Sequence, residues 1–224
     1  MSGDIQVITL PLPHRMGSVN CYLIQTSTGQ YLIDSGGSNA RKELHRELEG
    51  AGCLPGSLKL VILTHGDFDH IGNAAYLRSA FEARIAIHRD DSAMAERGDM
   101  FVNRKKPNLV IRTLLPFFTG FGTSERFTPD LFLEDGYDLS PSGLRAKIIA
   151  LPGHSRGSIG ILTAGGDLFC GDLFENTKGP VLNSLMDDLS AAKASVAVLE
   201  RLKIKTVYPG HGQPFAILDL KLFP

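Results

Sequence analysis

Four side chains able to bind a metal ion fall within six residues: His65, Asp67, Asp69 and His70, in Thr64-His65-Gly66-Asp67-Phe68-Asp69-His70. In an extended or looping segment, ligands at i, i+2, i+4 and i+5 cannot all aim at one ion. They can serve two ions that lie close together. Imidazole and carboxylate are the donors that suit Zn, Fe and Mn. Two adjacent cations can share one hydroxide and lower its pKa enough to make a nucleophile near neutral pH.

Elements must bring further ligands to the same place. The apolar run Leu58–Leu63 reads as a buried strand feeding directly into Thr64-His65. A strand that ends in polar residues sets them at the rim of a sheet, where sites form. Three later segments repeat one pattern, an apolar strand, then Gly, then one ligand: Leu151-Pro152-Gly153-His154, Cys170-Gly171-Asp172 and Tyr208-Pro209-Gly210-His211. Glycine lets the backbone turn sharply and approach a metal without a Cβ in the way. Asp34, in Leu32-Ile33-Asp34-Ser35-Gly36, shares the pattern but fits better as the group that orients a ligand.

Other elements follow from periodicity. Ile5–Leu12, Cys21–Thr26 and Gln30–Asp34 read as strands, and Ser38 as the cap of a helix whose stripe includes Leu44 and Leu48. His70–Phe81 reads as a helix and Ala83–His88 as a strand. Arg145–Leu151, Ser158–Thr163 and Asp167–Cys170 read as strands, the last two joined at Gly165-Gly166. Leu189, Ala192, Val196 and Leu199 mark one face of a helix before a last strand, Ile204–Tyr208. Two halves of similar type predict a layered α/β architecture, sheets inside and helices outside. Between them, residues 98–134 hold six of the twelve phenylalanines, several prolines and glycines, and the basic cluster Arg104-Lys105-Lys106.

In order and in flanking sequence, these ligands resemble the metallo-β-lactamase superfamily, with its H-x-H-x-D-H motif, a His after Pro-Gly, a bridging Asp and a final His. Here His65-x-Asp67-x-Asp69-His70, His154, Asp172 and His211 stand in that order, over roughly residues 5 to 215. The resemblance implies an αββα sandwich of two mixed sheets flanked by helices, with two divalent ions at one edge. It implies His65, position 67 and His154 on the first ion, Asp69, His70 and His211 on the second, and Asp172 bridging. Asp69 is then the candidate catalytic residue, a ligand able to orient the hydroxide or carry a proton. Residues 1–224 are expected to form a single such domain, with 98–134 as an insert.

Asp67 departs from the family pattern, which usually has His there, and resembles the flavodiiron branch, where that residue is acidic. Three carboxylates and a hydroxide would sum to −4 and cancel two divalent ions, where the His version keeps +1. A neutral site should favour oxygen-loving Fe or Mn more than usual. Metal identity therefore stays open among Zn, Fe and Mn.

Composition narrows the function classes. A net charge of −1 and a pI of 6.6 give no support to a nucleic-acid partner. Cys21, Cys53 and Cys170 are too few and too scattered for a disulfide framework or a thiolate zinc site. The first thirteen residues lack the pattern of a signal peptide, and no apolar run approaches a membrane span, so a cytoplasmic location is expected. His14, His45 and His88 read as structural or solvated, with His45 exposed on a charge-rich helix. In the insert, Phe117 and Phe118 are candidates for a lid or substrate wall, with core packing and a homodimer contact as the other readings. Lys178 is a loop lysine that could meet an anionic substrate. The leading function is hydrolysis of a small ester, thioester, lactone or phosphoester. The alternative is a di-iron protein reducing oxygen or nitric oxide, which would need a separate electron donor.

Overall fold

The computed structural model describes residues 3–104 and 125–220. Its strands form two sheets. In the first, β1 (Asp4–Pro11), β2 (Ser18–Thr26) and β3 (Gly29–Ile33) are antiparallel neighbours. β4 (Leu58–Ile62), β5 (Arg84–Ile87) and β6 (Leu131–Phe132) continue the sheet in parallel. The second sheet has β7 (Ala146–Ala150), β8 (Ile159–Thr163) and β9 (Asp167–Asn176) as antiparallel neighbours. β11 (Thr206–Gly212) lies parallel to β9, and β12 (Phe215–Ala216) closes that edge. β10 (Val181–Leu182) pairs with β9.

The side-chain period of two explains the layering. Along β2 and β3, Leu23 and Leu32 point to a core shared with helices, while Tyr22, Ile24, Tyr31 and Ile33 point the other way. That second face meets Ile148, Ile159, Ile161 and Phe169 of the opposite sheet. Helices α1 (Arg41–Gly50) and α3 (Ala74–Phe81) cover the outer face of the first sheet through Leu44, Leu48, Leu77 and Phe81. A further helix, Leu189–Leu199, covers the second through Ala192, Val196 and Leu199. The result is the expected αββα sandwich. Burial of each such side chain contributes about 1.5–3 kcal/mol.

Several elements differ from the sequence reading. The helix expected over His70–Phe81 is two, α2 (Phe68–Ile71) and α3, broken at Gly72-Asn73. The buried Asn73 amide donates to the Ser35 and Gly37 carbonyls at 2.8 and 2.9 Å, fixing the break against the loop after β3. Helix α4 (Arg89–Arg97) carries no clear apolar stripe, and periodicity missed it. Ser38 opens a 3₁₀ turn, and α1 begins after Ala40. Leu189 is 52% exposed and drops out of its helix's apolar face. His45 is half-buried, between the Tyr76 hydroxyl at 2.7 Å and Glu49 at 3.1 Å. Among the described residues, no helix is long and apolar enough to cross a membrane. Cys21, Cys53 and Cys170 are buried and free.

Candidate metal centre

The ends of β3, β4, β7, β9 and β11 meet at one edge of the sandwich. β4 runs into His65, Asp67 stands at the N-terminal boundary of α2 with its side chain free of any capping bond, and Asp69 and His70 lie on the helix's single turn. His154 follows β7, while Asp172 and His211 sit within β9 and β11. The β9–β11 pairing shifts register on both sides of Pro209, which lets the two ligand-bearing segments turn toward each other. Two glycines are required there. Gly171 has φ +51°, and a Cβ on it would lie 2.6 Å from the Thr64 hydroxyl. A Cβ on Gly210 would collide with a carboxylate oxygen of Asp172 and lie 2.7 Å from the His70 ring.

Two clusters of ligand atoms result, His65 with His154 and Asp172, and Asp69 with His70 and His211, each within 4.8 Å. Asp172 stands between them. Its Oδ1 is 3.3 Å from His70 Nε2, and its Oδ2 is 3.3 Å from His211 Nε2 and 3.9 Å from His154 Nε2. Asp69 Oδ2 is 3.5 Å from His211 Nε2.

Each imidazole is turned the same way by a partner on its outer nitrogen. His70 Nδ1 donates to Asp34 at 2.8 Å, His211 Nδ1 to the Ser18 carbonyl at 2.7 Å, and His154 Nδ1 to the Leu185 carbonyl at 2.6 Å. The Thr64 hydroxyl donates to Asp34 and accepts from His65 Nδ1 at 3.0 Å. With Nδ1 as the donor, the neutral form of each ring presents Nε2 inward as a lone pair that a metal ion could take. His65 Nε2, His70 Nε2 and Asp172 Oδ1 are buried without a hydrogen-bond partner. Orphaned buried donor atoms of these types, converging on common points, fit two metal ions. The charge balance agrees. Burial alone would lower the pKa of His70, yet Asp34, Asp172 and Asp69 raise it well above the ordinary range. Burial would likewise lower His211, but Asp172 pushes it up to about 9. Burial raises Asp172, but His211 and His70 hold it well below the usual carboxylate range. The pocket favours cations.

Three groups that sequence reasoning missed brace this edge. Asp91 of α4, fully buried, accepts from Gly66 N and Gly157 N at 2.9 Å and from the Ser155 hydroxyl at 2.6 Å. It thereby ties the His65 loop to the His154 loop. Arg104, read only as part of a basic cluster, is buried against Asp67, with Nη1 2.5 Å from Oδ1. Its Nε lies 2.6 Å from Asp187 but is not aimed for a hydrogen bond. Asp67 also stands 3.0 Å from His154 Nε2 and 3.6 Å from His65 Nε2. The neutral charge count expected for an Asp67 site therefore omitted a guanidinium at the same carboxylate. No sequence signal marked Asp91 or Asp187, since single acidic residues are usually solvated. Lys178 is exposed on the turn after β9 and is not part of either cluster. Phe117 and Phe118 lie outside the described residues.

The family model for the metallo-β-lactamase superfamily matches residues 14–211. The chain belongs to that superfamily. It is 27% identical over 211 residues to human metallo-beta-lactamase domain-containing protein 1, covering 92% of this chain and 66% of that one. It is 31% identical over 145 residues to hydroxyacylglutathione hydrolase GloC of Haemophilus influenzae, covering 64% and 60%. It is 26% identical over 214 residues to acyl-coenzyme A thioesterase MBLAC2 of Bos taurus, covering 89% and 71%. The chain thus spans roughly two thirds of the length of the curated relatives it matches. Among solved structures, TTHA1623 in a di-iron-bound form superposes with a TM-score of 0.68 at 26% identity, covering 92% of this chain and 93% of that one.

Proposed function

We propose that the chain is a binuclear metal-dependent hydrolase of small acyl esters, with thioesters first among its substrates. As a class it is a metal-dependent hydrolase. The observation that most supports two ions is the common inward turn of four imidazoles, each fixed by an acceptor on Nδ1. His65, His154 and Asp172 would hold one ion, Asp69, His70 and His211 the other, with Asp172 between them and Asp67 beside the first. When bound, such ions supply a water activated near neutral pH and Lewis-acid stabilisation of a developing oxyanion. The chain's own residues then position and hold charge. Asp34 fixes the His70 ring and, through Thr64, the His65 ring. Asp69, near His211, is placed to orient the attacking water or to take its proton.

Thioesters lead because two relatives are named as a hydroxyacylglutathione hydrolase and an acyl-coenzyme A thioesterase. The two irons of TTHA1623 support a two-ion count and keep iron beside zinc and manganese. The redox alternative rests on the likeness of Asp67 to the acidic residue of the flavodiiron branch and would need a separate electron donor; here that carboxylate is engaged by Arg104. A small-molecule substrate and a cytoplasmic setting complete the reading. It is tested with protein loaded with two ions of Zn, Fe or Mn, assayed on thioester, lactone, β-lactam and phosphodiester substrates. The expected result is thioester turnover that a chelator abolishes and added metal restores. Doubly loaded protein that hydrolyses none of the panel would overturn the proposal.

A further inference from the structure

Arg104 is the unusual charge at this site. A guanidinium 7% exposed stands against the carboxylate that neighbours the His65–His154–Asp172 cluster. Its position is over-determined. Nη2 donates to the His154 carbonyl at 3.2 Å, Nε pairs with Asp187 at 2.6 Å, and the neighbouring Asn103 amide donates to the Asp90 carbonyl of α4 at 2.6 Å. The fork is therefore held in the site by the backbone of one ligand loop, by the loop before the last helix and by α4.

We propose that Arg104 sets the metal affinity of the His65–His154–Asp172 site by acting as the counter-ion of Asp67. Taken by itself the Asp67–Arg104 pair is formally neutral, as an imidazole there would be, and Asp187 shares the same guanidinium from its Nε side. The carboxylate is engaged by a fixed cation, so an incoming ion competes with Arg104 for it and feels that cation's repulsion through a poorly screened interior. The first site is then the weaker of the two, and the Asp69–His70–His211 site fills first. This inference rests on the binuclear reading above and concerns the order and strength of loading, which that reading leaves open.

The test is metal binding itself. Zinc affinity is measured by chelator competition on metal-stripped wild type, Arg104→Met, Arg104→Gln and Arg104→Lys, with circular dichroism and melting to check folding. Gln keeps a hydrogen bond to Asp67 without the charge, so a folded neutral variant is available even where Met is not tolerated. Wild type should show a tight and a weak ion. Loss of the charge should tighten the weak ion at least tenfold and leave the tight one unchanged, while Arg104→Lys stays within a few-fold of wild type. A folded neutral variant that binds the weak ion no tighter than wild type would overturn the inference, because a mere brace gives that result. Wild type that binds fewer than two ions would instead defeat the binuclear reading.

Discussion

Without a metal ion, Asp172 raises the proton affinity of the histidines beside it, His70 and His211. Burial lowers the pKa of His211, but Asp172 more than reverses this and brings it from 6.5 to about 9. A folded-state pKa above the unfolded value means a contribution that is complete below pH 6.5 and lost as pH rises through about 9. At 1.36 kcal/mol per pH unit, that contribution is at most about 3 kcal/mol. Melting of the stripped protein should therefore decline across this window, and His211→Gln should flatten the decline; an identical pH slope in that variant would count against it. Asp172 faces both clusters, so Asp172→Ala should lose both ions and all turnover, as read by elemental analysis and assay. Retention of both ions would remove it from the bridging place. The candidate ligands were legible because four cluster within six residues after an apolar strand and three more each follow an apolar run and a glycine, a local and repeated pattern. Arg104 was not, since its role depends on a contact 37 residues away in sequence.

At the scale of elements, the ligand loops are set by polar groups that periodicity does not see. Helix α4 lacks an apolar stripe, and it is held through the bonds of Asp91 as well as through buried Met94 and Ala95. Asp91→Ala would leave the Gly66 and Gly157 N–H groups buried without their acceptor, while the Ser155 hydroxyl keeps its bond to Ser158 at 2.8 Å. Each such loss costs about 1–3 kcal/mol, so unfolding of the stripped variant in denaturant should show a loss of roughly 2 kcal/mol or more. Zinc affinity at the His65–His154 cluster should fall with it. A variant within about 1 kcal/mol of the parent would mean that the two loops are held by other contacts. The break between α2 and α3 escaped sequence reading for a similar reason. The apolar pattern runs through it, and the buried Asn73 amide, bonded to the loop after β3, overrides that pattern.

The molecule as a whole is two sheets that share one edge of chemistry. The order of elements, two halves of similar type, made the layers legible, and in β3 Leu32 faces one core while Tyr31 and Ile33 face the other. Strand order was not legible, since pairing across 206–212 and 167–176 is a non-local choice. Asp69 and His70 come from the first sheet's loops, His154 and Asp172 from the second, so bound ions would join the two sheets and stabilise the fold by mass action. A chain of this size should gain about 2–4 °C in melting temperature per kcal/mol of binding free energy. Two ions in one site would be seen in anomalous diffraction from a metal-loaded crystal. Two peaks are expected, one ligated by His65, His154 and Asp172, the other by Asp69, His70 and His211, with Asp172 between them. A single reproducible peak, with His65 and His154 unliganded, would contradict that expectation.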